Sequence, residues 1–184
     1  MNYWMVTIAP ANFRVTRDQG FKVQGFGQRQ RRKTERMSPG DRLMFYVKDD
    51  QVFPLAATIT SKAFEDRTPL WHAEAADELF MYRVQMRADA APPEDQYINA
   101  PDIAPRLEYL RRWPPELWRL AFQGELHLLP RRDFELLETE MRRVLRRRDG
   151  RRDDRRDGES SEAPVGADVP GTAVDGSLEA EPAV

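Results

Sequence analysis

The sequence contains no cysteine and only two histidines, His72 and His127, among its 184 residues. The lack of cysteine excludes a disulfide framework, a thiolate zinc site and a cysteine nucleophile. Because the two histidines lie far apart in the chain, a metal site or a proton relay would have to be built almost entirely from carboxylates. We therefore expect neither a metal ion nor a cofactor.

Long apolar runs and enzyme motifs are also missing. No run reaches the roughly 18 apolar residues that suggest a membrane-spanning helix. The N-terminus, MNYWMVTIAP, has neither the charged start nor the apolar stretch of a secretory signal, so we expect a cytoplasmic protein without a membrane contact. The chain has no GxSxG, P-loop, GxGxxG or HExxH motif. These absences predict a protein that is not an enzyme and has no catalytic residues.

Charge divides the chain into two parts. Residues 149–184 carry four arginines and ten acidic residues, a net charge of −6, whereas residues 1–148 carry 25 basic and 21 acidic residues, a net charge of +4. The last 36 residues have no aromatic side chain, five glycines and three prolines. Such a segment cannot bury enough apolar surface to offset its chain entropy. We predict one domain over residues 1–148, followed by a disordered acidic tail over residues 149–184.

The domain is predicted to combine strands and helices. Alternating apolar residues predict strands at residues 3–8, 42–48, 52–61, 79–87 and 124–129. In the third of these, Phe53, Leu55, Ala57 and Ile59 should share one face, and Pro54 suits an edge strand or a bulge. Helical patterns cover residues 11–18, residues 102–122 in short pieces, and the chain after Pro130. This pattern predicts a small antiparallel β-barrel of the α+β class with flanking helices.

The strongest electrostatic feature is a basic run that includes Arg29, Arg31, Arg32, Lys33 and Arg36. Guanidinium groups bind phosphate through paired hydrogen bonds and keep their charge at cellular pH. Phe26 precedes the run, in a predicted loop between Gly25 and Gly27, and a ring beside phosphate-binding arginines is what capture of a single nucleotide needs. A solvated basic helix remains an alternative, since Arg outnumbers Lys by 25 to 4 throughout the chain.

Six segments form a recognisable series along the chain. They are Tyr3-Trp4-Met5-Val6, Pro10 with Asn12, Gly25-Phe26, the run from Pro39-Gly40-Asp41 to Val47, Thr68-Pro69-Leu70-Trp71, and Tyr82-Arg83-Val84. Together they resemble the EVE domain family of the PUA-like superfamily. They occur in the family's order within about residues 1–145. The resemblance implies a PUA-like pseudo-barrel with a concave pocket, which in this superfamily commonly receives RNA or a flipped DNA base. DNA or RNA carrying a modified base is therefore the expected partner.

Residues that match the family's pocket supply the expected site. They are Asn12, Gln24, Gly25, Phe26 and Tyr46, with Trp71 nearby, while Arg29, Arg31, Arg32 and Lys33 would hold phosphates. Asn12 and Gln24 offer donors and acceptors for a base edge, and Phe26, Tyr46 or Trp71 could stack on the ring. The His-Gly-Lys motif of one family branch is absent near Gln28-Arg29, and so the exact ligand does not transfer with the resemblance.

Two other functions remain open from the sequence. One is a module that binds a protein or a small ligand and no nucleic acid. The other is a small hydrolase of a modified nucleotide that uses His72 or Asp66. The choice between DNA and RNA, the base modification and the oligomeric state are left open.

Overall fold

The computed structural model describes residues 1–72 and 79–159. Of residues 149–159 it describes only the helical backbone. The chain divides into two units, Met1–Asp149 and Gly150–Val184. The first unit holds every strand found among the described residues. In the second unit the described residues are helical to Glu159. The predicted disordered tail covered residues 149–184. Residues 149–159 of it belong to this helix, and residues 160–184 lie outside the described residues.

Eight strands form one mixed sheet. They are β1 Tyr3–Ile8, β2 Val23–Phe26, β3 Arg42–Val47, β4 Val52–Ile59, β5 Phe64–Glu65, β6 Tyr82–Ala90, β7 Ile98–Asn99 and β8 Leu126–Leu128. The order across the sheet is β2-β6-β4-β3-β1-β8, with β5 beside β6 and β7 beside β4. The five predicted strands are confirmed as β1, β3, β4, β6 and β8. The others have two to four residues and show no alternation long enough to predict them.

The sheet curls because β6 serves two neighbours in turn. Its first half pairs with β2, from Tyr82 to Gln85, and its second half pairs with β4, from Met86 to Ala90. The resulting half-barrel with flanking helices agrees with the predicted α+β, PUA-like class. One pairing differs from the antiparallel expectation, since β1 and β3 run parallel. This difference matters below, because the carboxyl ends of β1 and β3 reach the same edge of the sheet.

A bulge in β4 moves one apolar side chain to the other face. The pairing of β3 with β4 shifts register between Phe45 and Val47, opposite the part of β4 that contains Pro54. Phe53 consequently packs in a different cluster from Leu55, Ala57 and Ile59, and the prediction of one shared face was wrong for Phe53. An extra residue in one strand shifts the alternation by one position, so residues before and after the bulge that would have shared a face point to opposite faces.

The sheet is covered on both faces. One cluster contains Met5, Met44 and Tyr46 with the apolar side of α4 Arg131–Glu159, where Phe134, Leu137 and Met141 are fully buried. The other contains the alternate residues of the same strands and Phe13 of α1 Pro10–Asp18. The remaining helices are short: α2 Arg31–Thr34, α3 Ala100–Ile103 and 3-10 turns that include Gln28–Gln30 and Pro115–Phe122. Among the described residues, no helix is long and apolar enough to cross a membrane.

Candidate functional site

A cavity of about 460 Å³, here called the main cavity, opens beside the carboxyl ends of β1 and β3. Its lining consists of residues 6–9, Asn12, residues 24–26, Arg29, Tyr46, Lys48, His72, Phe80, Arg119 and residues 122–125. Pockets of roughly 300–1,000 Å³ are usual for small ligands. Because β1 and β3 are parallel, Thr7 is directly opposite Tyr46, and both contribute to this lining.

Aromatic rings form much of the wall. Phe26, Tyr46, Phe80 and Phe122 all line the main cavity. Tyr46 and Phe122 have ring centroids 4.7 Å apart, and Tyr46 also contacts Phe53 at 5.2 Å. These contacts fix the plane of the Tyr46 ring, since packed aromatic pairs hold a preferred relative geometry.

The hydroxyl of Tyr46 makes no hydrogen bond with another described residue, although only 3% of the residue is exposed. Burial raises the pKa of Tyr46 above its ordinary value, with a further increase from Asp49 and an opposing effect of Arg119. The phenol therefore keeps its proton at neutral pH and can donate a hydrogen bond to whatever occupies the cavity.

The segment that follows the Pro115–Phe122 turn is anchored to β1. The Thr7 side chain donates a hydrogen bond of 3.1 Å from Oγ1 to the Phe122 carbonyl, and its backbone N–H donates to the Glu125 carbonyl at 2.9 Å. Phe122, Arg119 and Thr7 were not among the predicted site residues. Their part in the site follows from the pairing of β8 with β1, which joins positions about 120 residues apart in the chain.

Asn12 holds the backbone of His72. Its Nδ2 donates to the His72 carbonyl at 2.8 Å, and its Oδ1 accepts the His72 backbone N–H at 2.8 Å. Both ends of the amide thus bind the backbone of one residue, and this contact fixes the orientation of the amide. The exposed imidazole of His72 lies at the main cavity.

A chain of hydrogen bonds behind the wall connects Trp71 to Gln24. The indole Nε1 of Trp71 donates to Thr16 Oγ1 at 2.9 Å, and Thr16 Oγ1 lies 3.0 Å from Gln24 Oε1, to which it can donate. Gln24 Nε2 donates in turn to the Gly25 carbonyl at 2.7 Å. The sequence prediction did not include Thr16, which is fully buried. Its hydroxyl holds the Gln24 amide with Oε1 toward Thr16 and Nε2 toward the Gly25 carbonyl.

Trp71 and Arg83 support this wall from behind. A Cβ atom added at Gly25 would lie 2.5 Å from the Trp71 ring, so the indole packs directly on that glycine. The guanidinium of Arg83 lies 5.2 Å from the Trp71 ring centroid and binds Asp66 and the Thr68 carbonyl. Burial lowers the pKa of Arg83, and Asp66 opposes that effect. Arg83 is nevertheless a strong base and remains charged.

The structure brings five of the six predicted pocket residues to the main cavity: Asn12, Gln24, Gly25, Phe26 and Tyr46. Trp71 does not line it and instead packs behind Gly25. Gly25 and Phe26 belong to strand β2 and not to the irregular loop that the flanking glycines predicted. Antiparallel pairing with β6 holds this short strand in place.

The predicted phosphate-binding residues are spread over a larger surface. Arg29 lines the main cavity, is exposed, and has no ion pair with another described residue. Arg31 forms an ion pair of 2.8 Å with Glu35 and lies over the Tyr82 ring. Lys33 donates from Nζ to the Leu126 carbonyl at 2.7 Å, and Arg32 is exposed. Within the described part of the chain, no group of His, Asp or Glu side chains could hold a metal ion.

Comparison with known proteins shows the family to which this chain belongs. The EVE domain model matches residues 2–121, which is about two thirds of the chain. The chain belongs to the EVE domain family. A UPF0310 protein of Pyrococcus abyssi is 24% identical over 150 residues, which are 76% of this chain and 99% of that protein.

Solved structures show the same fold at low sequence identity. A Pseudomonas putida protein has a TM-score of 0.51 at 16% identity, over 76% of this chain and 99% of its own. The YTH domain of Mmi1, solved in a complex with RNA, has a TM-score of 0.57 at 8% identity, over 81% of this EVE chain and 87% of the neighbour. Likeness at this level concerns the fold alone.

Proposed function

We propose that this EVE domain is a non-catalytic nucleic-acid-binding module that takes one base of a DNA or RNA strand into the main cavity. The observation that carries the proposal is the combination at one cavity of aromatic walls, cationic side chains and the hydroxyl of Tyr46, which makes no hydrogen bond to another described residue. The RNA complex of the Mmi1 YTH domain supports it, since that domain has a similar fold.

The chemistry of the lining suits a base more than a purely apolar ligand. Aromatic rings stack on any base and contribute about 1–3 kcal/mol per base. Tyr46 would donate to an acceptor on the base edge. Each methyl group of a modified base that became buried against Phe26 or Phe80 would add about 0.8 kcal/mol. This is the basis for proposing that the preferred base is modified.

Asn12 and Gln24 are proposed to read the base edge with the hydrogen-bonding capacity that their internal bonds leave. Each amide has two N–H groups and an oxygen with two lone pairs, so one contact at each end does not exhaust it. Because their orientations are fixed by His72 and Thr16, the pattern they present is also fixed. Gly25 and Trp71 are proposed to shape the wall that carries them.

Arg29 and Arg119, both exposed and both lining the main cavity, are proposed to hold the phosphates next to the bound base. Arg31, Arg32 and Lys33 would extend this positive surface along α2. Phosphate contacts position a strand without reading its sequence, so these residues should act equally on modified and unmodified strands.

The hydrolase alternative has little support at Asp66. That carboxylate does not line the main cavity and binds Arg83. Hydrogen bonds from Thr68 are the main cause of the lowered pKa of Asp66, which makes it a weaker base at neutral pH.

Binding measurements at two salt concentrations would test the proposal. The probes are matched single- and double-stranded DNA and RNA oligonucleotides with and without 5-methylcytosine or N6-methyladenine. We expect one modified strand to bind best and all binding to weaken with salt. Binding to none of these probes at either salt concentration would contradict the proposal and favour a protein or small-molecule ligand.

The substitution Tyr46→Phe separates recognition of the base from overall affinity for nucleic acid. Loss of one hydrogen bond to the base should lower affinity for the preferred strand about fivefold to twelvefold, the equivalent of about 1–1.5 kcal/mol. The control is Tyr97→Phe, which removes a hydroxyl from a tyrosine that lines no part of the main cavity. Equal affinities for wild type and Tyr46→Phe would remove Tyr46 from the recognition role.

A further inference from the structure

A second cavity of about 290 Å³ is lined by all three residues of strand β8. Its lining includes Lys33 and Arg36 from the basic run, the half-buried ring of Tyr109, and Leu128, whose side chain is exposed. It therefore combines positive charge with aromatic and aliphatic surface, the two kinds of contact that a nucleotide requires.

The positive charge of the second cavity is not neutralised locally. None of the residues that line it is acidic. Arg36 is exposed and forms no ion pair with another described residue, and Lys33 uses one of its three N–H groups on the Leu126 carbonyl. Both cations can therefore donate hydrogen bonds to a phosphate oxygen.

Two continuous segments join the two cavities. In the basic run, Arg29 lines the main cavity and Lys33, four residues later, lines the second cavity. In the segment that ends with β8, Gly124 lines the main cavity and Leu128, four residues later, lines the second cavity. Four residues extend about 6 Å along a helix and at most about 14 Å along a fully extended chain. At about 3.4 Å per stacked nucleotide, the cavities are two to four nucleotides apart along these segments.

We propose that the second cavity binds a further nucleotide of the same strand whose base occupies the main cavity. Lys33 and Arg36 hold its phosphate, and its base packs on Tyr109 and Leu128. The inference rests on the proposed function and adds to it that the ligand is a strand, of which about three to five nucleotides run along α2 and β8. A mononucleotide would fill only the main cavity.

A length series tests this inference on the full chain. The probes are labelled mixed-sequence DNA and RNA mononucleotides, dinucleotides, tetranucleotides and octanucleotides. The variant is Arg36→Gln with Leu128→Ser, which leaves the structural contact of Lys33 intact. The control is Arg132→Gln with Phe64→Ser, because both of these residues are exposed and neither lines the main cavity or the second cavity.

We expect the affinity of the wild type and the control to rise about fivefold or more between dinucleotide and octanucleotide, as stacking of one further base implies. The variant should bind the shorter probes like the wild type and lose this rise. If the rise persists in the variant, the second cavity is not a site, and the function of the main cavity stands. If the wild type binds no probe of any length, both proposals are overturned. Circular dichroism of each variant separates loss of binding from loss of fold.

Discussion

Gly25 is covered by the indole of Trp71, and this contact leaves no room for a side chain. An added Cβ would lie 2.5 Å from the ring and 2.7 Å from the Phe80 carbonyl oxygen. The φ angle of Gly25 is not positive, so glycine is not needed here for its backbone conformation. It is needed because the Trp71 ring and the Phe80 carbonyl lie too close for a side chain. The motif Gly25-Phe26 of the sequence thus has a packing reason.

We predict that Gly25→Ala lowers the free energy of unfolding by about 1–3 kcal/mol, the usual cost of overpacking a filled interior. Urea denaturation measures this change. The Trp71→Leu background provides the control, because a smaller side chain relieves part of the clash. A coupling energy near zero between the two substitutions would show that the methyl group is accommodated without moving Trp71.

Among the connections between elements, Asp41 joins the turn before β3 to strand β1. Its carboxylate accepts hydrogen bonds from the Asn2 backbone N–H at 2.7 Å, the Ser38 backbone N–H at 3.2 Å and the Trp4 indole at 3.3 Å. Burial alone would raise the pKa of Asp41, but these donors outweigh it, and the pKa is lowered. The Pro39-Gly40-Asp41 motif therefore holds the parallel pair β1–β3 in place.

We predict that Asp41→Asn lowers the free energy of unfolding at neutral pH by about 1.5–3 kcal/mol, the range for hydrogen bonds to a charged group. The pKa of Asp41 is lower in the folded protein than in the unfolded chain. Its contribution is therefore complete above the unfolded value of about 3.9 and is lost as pH falls through the folded pKa.

Denaturation curves from neutral pH to about pH 3 measure this dependence, since that interval crosses the unfolded pKa. Wild type should lose more stability over this interval than Asp41→Asn does. The exposed Asp18→Asn provides the matched control and should behave as wild type does. Parallel pH curves for wild type and Asp41→Asn would contradict the prediction.

At the scale of the whole molecule, the net charge of −2 does not show where the positive charges lie. The proposed function needs positive charge at the main cavity. Arg29 and Arg119 meet at the main cavity although 90 positions separate them in the chain. Their shared location could not be found from the basic run, because Arg119 lies outside it.

We predict that Arg29→Gln with Arg119→Gln reduces the slope of log affinity against log salt by about 0.7 per lost phosphate contact on a single strand, or about 0.9 on a duplex. Titrations at several salt concentrations give the slope. Arg132→Gln with Arg146→Gln removes the same charge from exposed positions on α4 that line neither cavity. If the control changes the slope as much as the test variant, the effect comes from overall charge and not from the main cavity.

Local patterns in the sequence determined the strands with long alternation, the apolar side of α4 and the family motifs. Burial of alternate residues needs no knowledge of the neighbouring strand, so β1, β3, β4, β6 and β8 could be predicted. The short strand β2 could not, because Gln24 and Gly25 interrupt its alternation and its pairing with β6 holds it.

Only the tertiary structure decided which residues meet. The parallel pairing of β1 with β3 places Thr7 beside Tyr46, and the return of β8 to β1 brings Phe122 and Arg119 to the same cavity. The partners of Asn12 and Gln24 also depend on loops that fold back from distant positions. Contacts of this kind are set by chain topology and by the packing of the whole core, which no local pattern of residues contains.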